Sequence, residues 1–125
     1  MTAFVRGLRS SFRAAWRGFL YVFRAERTFR VMVAAALCIF IAIGTLPLSS
    51  AERLVLLLVT GMILVLELLN TAVERLVDLV KPRLSAYVRD VKDVMAAAVL
   101  VASFFGLLVG VVILFPHLTL LLAQL

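Results

Sequence analysis

The chain has 125 residues but only one cysteine, one histidine, three prolines and seven acidic side chains. Cys38 stands alone inside an apolar run, which excludes a disulfide within the chain. His117 is equally isolated at the end of such a run, where an interfacial side chain is a better reading than a metal ligand. No GxxxxGK[ST] and no GxGxxG occurs, so any nucleotide site has to be built from helices. Polar stretches long enough for a separate soluble catalytic domain are missing too: 65% of the residues are hydrophobic, and three apolar blocks fill most of the chain. What remains is the composition of a small, single-domain, all-α integral membrane protein.

The first block, residues 31–48, is about the shortest run that crosses a hydrocarbon core, and Pro47 followed by two serines closes it. A second block covers 54–80 and a third 94–115, the latter long enough to cross with some tilt. Three transmembrane helices follow, preceded by a basic segment over 1–30. In that segment Arg6, Arg9, Arg13, Arg17, Arg24 and Arg27 gather on one side of a helical wheel, with Phe4, Leu8, Phe12, Ala15 and Phe19 opposite. This pattern suits an amphipathic helix lying on an anionic membrane surface, with Trp16 and Tyr21 as interfacial anchors. If that helix continues to Thr28, Glu26 falls on its apolar side.

The net charge of +6 does not point to nucleic acid, because basic residues beside membrane spans are expected from topology alone. Arginines precede the first span, and Arg75, Lys81, Arg83, Arg89 and Lys92 lie between the second and third. The first loop has only Arg53, and the tail after Phe115 has no lysine or arginine. Topology rules therefore put the N-terminus and the second loop in the cytoplasm and the C-terminus outside.

The second block is interrupted by charge. Counting from Glu67 at 0°, Asn70 lies near about 300°, Glu74 near about 340° and Asp78 near about 20°, one polar stripe on an otherwise apolar helix. An acid near the middle of a span costs about 2.5–3.5 kcal/mol on insertion scales, so such residues face a protein interior or a wet cavity. A lone three-helix protomer has little interior in which to hide Glu67, Asn70 and Glu74, and a partner subunit is expected to cover part of the stripe. Asn70 and a protonated Glu67 could serve as interhelical glue, and Arg75 and Asp78 as solvated helix-end charges. In "VRDVKDVMAAAVL" the charges Asp90, Lys92 and Asp93 mark the entrance of the third helix, and Ala96, Ala97 and Ala98 permit close helix contact beyond it. The GLLVG run from Gly106 to Gly110 reads as packing.

Carboxylates at one level, with a lysine and arginines nearby, match the chemistry of a divalent cation and a polyphosphate. A small proton-coupled transporter could use similar carboxylates, and a non-enzymatic membrane scaffold could use them for packing. The discriminating residues are Glu26, Lys92 and Asp93, for which a carrier has no evident need.

"AERTFR" at 25–30, "ELLNTAVERLVDLV" at 67–80 and "KDVMAAAVL" at 92–100 resemble the three signature segments of the small prokaryotic diacylglycerol kinases, a family that includes the undecaprenol kinases. "ELLNTAVER" looks more like the undecaprenol-kinase branch. The resemblance implies a homotrimer in the bacterial cytoplasmic membrane, with active sites shared between neighbours. It also implies transfer of the γ-phosphate of ATP to the hydroxyl of a membrane lipid, with Mg²⁺ as cofactor. Carried over by motif, Glu67 would accept the lipid hydroxyl proton, and Asn70 would orient the site. Glu26 and Glu74 would hold Mg²⁺, and Lys92 with Asp93 would contact and order the nucleotide.

Overall fold

The computed structural model describes residues 2–80 and 85–123; Lys81 and Arg83, which entered the orientation argument, lie outside them, as does the side chain of Phe4. Four helices follow in order: α1 Thr2–Ala25, α2 Arg27–Thr45, α3 Ser50–Val80 and α4 Ser85–Leu122. Among the described residues there is no strand.

The N-terminal helix does not continue to Thr28. It stops at Ala25, and Glu26 takes an extended backbone with φ −106° and ψ 120° before α2 begins. Neither proline nor glycine causes the break. Tertiary contacts hold it instead: the Arg30 guanidinium donates to the carbonyls of Phe23 at 3.2 Å and Arg24 at 3.1 Å, satisfying acceptors that a helix C-terminus leaves open. Phe29, fully buried, meets the Phe19 ring edge-on at 5.2 Å between centroids. The consequence is that Glu26 sits in a corner between two helices.

The turn between α2 and α3 follows from local chemistry. Pro47 disfavours helical backbone at Leu46, which is extended at φ −86° and ψ 148°, so α2 ends at Thr45, short of the apolar block's end. Ser49 and Glu52 then form a reciprocal capping box. The Ser49 amide donates to Glu52 Oε2 at 2.7 Å, and the Glu52 amide donates to Ser49 Oγ at 3.3 Å. This cap starts α3 at Ser50, ahead of the apolar residues. Leu46, Leu48 and Leu56 close over the turn as a buried cluster.

Helix α4 outruns the 94–115 block at both ends and passes through Pro116. Its charged start is tolerated because a helix end beyond the bilayer is solvated by water. Helices α3 and α4 run antiparallel, since Asp78 pairs with Lys92 near one end while Gly106 packs on Val59 and Ile63 further along. At Gly106 a Cβ would collide with Ile63 Cδ1 and press on Val59 Cγ1 at 3.3 Å, so glycine permits the close approach. Gly110 meets no such neighbour.

Arg27–Thr45, Ser50–Leu79 and Ala86–Leu122 are each long and apolar enough to cross a membrane. Their large apolar side chains point outward, as with Val112 and Leu100, which is the arrangement a lipid solvent favours. The small core lies where α2, α3 and α4 meet. Beside it an apolar groove of about 490 Å³ opens between the three helices.

Candidate active site

The stripe on α3 faces the corner between α1 and α2. Glu67 is 5% exposed and Thr71 is 2% exposed, the two buried polar side chains among the described residues. They are one turn apart on the same face, and the Thr71 hydroxyl donates to the Glu67 carbonyl at 3.1 Å. Glu67 is buried within the single chain, whereas Asn70 and Glu74 of the same stripe are half-buried.

One turn beyond Thr71, Arg75 reaches across to the corner, where its Nη2 donates to Glu26 Oε1 at 3.2 Å. The same guanidinium lies over the Tyr21 ring at 5.6 Å from its centroid. Glu26 thus joins the stripe by tertiary structure, although the helical wheel that first suggested this is broken at that residue. Glu26 and Glu74 stand near enough to Glu67 for their charges to act on it. Asn70 is half-buried, and its Oδ1 has no hydrogen-bond partner among the described residues, a state that buried polar atoms seldom keep without reason.

At the outer end of the stripe, Lys92 Nζ donates to Asp78 Oδ1 at 2.7 Å. Asp78 and Arg75, read from sequence as solvated helix ends, are therefore both held in ion pairs across helices. Asp90 and Asp93 are exposed on α4 beside Lys92. Sequence reasoning gave Arg75, Thr71 and Asp78 no site role. The available signal was spacing: Glu67, Thr71, Arg75 and Asp78 recur at three and four residues along one helix.

Among the described residues no three His, Cys, Asp or Glu side chains form a metal cage. Mg²⁺ does not require one. It keeps its waters and is held by one or two carboxylates together with substrate phosphates. Glu26 at the corner and half-buried Glu74 on α3 supply donors of that kind, so the residues present fit a cation that arrives with a nucleotide.

The profile of the prokaryotic diacylglycerol kinase family matches residues 13–114. The chain belongs to that family. Three membrane-long helices and this membership make it a bacterial membrane protein. It is 38% identical over 109 residues to a diacylglycerol kinase of Synechocystis sp., covering 86% of this chain and 62% of that one. It is 36% identical over 108 residues to the undecaprenol kinase of Bacillus subtilis, covering 86% and 88%. A diacylglycerol kinase of Pseudomonas aeruginosa is 35% identical over 85 residues, 68% of this chain and 69% of its own. The chain thus spans less than two thirds of the length of the Synechocystis relative. Glu26, Glu67, Asn70, Glu74, Lys92 and Asp93 all fall inside the family match, whereas Arg6 and Arg9 precede it.

Proposed function

We propose that the chain is an ATP-dependent lipid kinase that transfers the γ-phosphoryl group of ATP to the hydroxyl of a membrane lipid. That lipid is diacylglycerol or undecaprenol, giving phosphatidic acid or undecaprenyl phosphate. The supporting relatives carry both names. The observation that carries the reading is Glu67: a carboxylate 5% exposed in the interior of an apolar helix, within a chain matched to a lipid-kinase family. The match favours this reading over a proton-coupled carrier or a scaffold.

In the proposed reaction the lipid hydroxyl oxygen forms a bond to the γ-phosphorus while the bond to the β-γ bridging oxygen breaks, and ADP leaves. The hydroxyl proton passes to the Glu67 carboxylate, which acts as general base. Asn70, whose Oδ1 has no hydrogen-bond partner among the described residues, orients the site. Lys92 exchanges Asp78 for phosphate, and Asp93 helps order the nucleotide. Glu26 and Glu74 would hold Mg²⁺, which would supply positive charge to the phosphate oxygens. Helix α1 lies on the cytoplasmic membrane surface with its exposed Leu8, Phe12 and Trp16 in the interface. The N-terminus is cytoplasmic, the C-terminus is outside, and a homotrimer shares its sites between neighbours.

Glu67→Gln tests the assignment. The amide keeps size and hydrogen bonding but removes the base, so lipid phosphorylation should fall by about 10²- to 10⁴-fold, with nucleotide affinity retained. A variant serving only as interhelical glue would lose little, and near-normal turnover would remove Glu67 from the catalytic set.

A further inference from the structure

One oxygen of the carboxylate assigned to the metal already has a partner. Glu26 Oε1 accepts from Arg75 Nη2 at 3.2 Å, and the guanidinium rests over Tyr21. The Oε1 lone pair that faces the guanidinium cannot also face a cation, so a cation held by both oxygens of Glu26 requires the pair to open. The pair lies open at the surface of the chain, with Arg75 51% and Glu26 29% exposed. Exposed pairs of this kind are weak and open readily.

We infer that Arg75 gates the metal site: its guanidinium holds Glu26 while no divalent cation is present and is displaced from it when the cation binds. This deepens the lipid-kinase reading and rests on it, since it takes Glu26 as a metal ligand. Arg75 acts through Glu26 and is a positioning residue. While the site is empty it neutralises one of the three carboxylates, Glu26, Glu67 and Glu74, whose charges meet there. Once displaced, the guanidinium stays close, because the Tyr21 ring lies on α1 and the arginine on α3, and neither depends on the cation. No covalent step is involved, only an exchange of Glu26's partner.

The sign of the effect separates a gate from a strut. A strut that holds Glu26 in position would help the cation bind, so its loss would weaken binding. A gate competes, and its loss strengthens binding by the amount the ion pair contributed. For an exposed pair that is about 1.5- to 5-fold.

The test uses the full chain in bilayer nanodiscs with a non-hydrolysable ATP analogue, titrated with Mn²⁺ and read from the electron paramagnetic resonance signal of the free ion. Arg75→Gln should bind Mn²⁺ about 1.5- to 5-fold more tightly than wild type at low salt. Because an exposed ion pair is screened, that gap should close near about 1 M KCl. Arg75→Lys, which keeps the charge but not the planar fork, should fall between the two and guards against misfolding of the glutamine variant. Unchanged or weaker Mn²⁺ binding in Arg75→Gln overturns the gate. Glu26→Gln tells the two failures apart. If it weakens Mn²⁺ binding while Arg75→Gln does not strengthen it, the gate alone fails; if it leaves Mn²⁺ binding at wild-type affinity, the metal assignment fails and the gate with it.

Discussion

The two ends of α3 treat polar groups in opposite ways. At the Ser50 end, hydrogen bonds stay within a few residues of sequence. Ser49 and Glu52 cap each other, the Arg53 Nε donates to the Leu48 carbonyl at 3.1 Å, and the Thr45 hydroxyl donates to Ile41 at 2.8 Å. One longer contact is present, His117 Nε2 at 3.9 Å from Glu52 Oε1, and the other ring nitrogen of that histidine sits 2.9 Å from its own helix's Ile113 carbonyl. Toward Val80, apart from the Thr71 hydroxyl's bond to the Glu67 carbonyl within α3, the bonds reach other elements: Arg75 reaches 49 residues back to Glu26, and Lys92 reaches 14 residues back to Asp78. Asn70 Oδ1 has no partner among the described residues. Polar groups that complete themselves locally build the fold. Groups that depend on distant partners, or lack one, are available to a ligand.

Breaking either side of this contrast should give effects of different kind and size. Glu26→Gln and Glu74→Gln should each raise the Mg²⁺ needed for half-maximal activity by about 10- to 100-fold, the range seen when groups around a metal are altered. Activity measured against Mg²⁺ concentration checks this, and partial rescue at high Mg²⁺ is expected. Gly106→Val lies outside both regions but acts on the helix pair that carries the stripe. Its side chain meets Ile63 and Val59, and overpacking of this kind costs about 1–3 kcal/mol, to be read as a lowered midpoint in thermal unfolding. Ser49→Ala removes the cap of α3 and should cost about 1 kcal/mol. Its ATP and Mg²⁺ dependence should match wild type, whereas a change in either would mean that the Ser50 end contributes to the site.

Much of this was readable from the residues. The three apolar blocks announce three helices because composition alone decides between lipid and water for runs of that length. The stripe from Glu67 to Asp78 is visible because helical periodicity places those residues on one face. The break at Glu26 is not, since it follows from the Arg30 side chain and the Phe19–Phe29 contact rather than from a proline or glycine. For the same reason the sequence does not show Arg75's partner: Glu26 lies in the corner between α1 and α2, which no local pattern connects to it. The extension of α4 back to Ser85 was hidden by Asp90, Lys92 and Asp93, charges that lie within the helix rather than before it.

The central claim is that the Val80 half of α3, with Glu26, moves phosphate onto a lipid. Purified wild-type protein in bilayers containing either diacylglycerol or undecaprenol, given Mg²⁺ and ATP labelled at the γ-phosphate, tests it most directly. The account predicts label in the lipid fraction, dependent on both Mg²⁺ and the added lipid. Label released only as inorganic phosphate, or none transferred with either lipid, would contradict it.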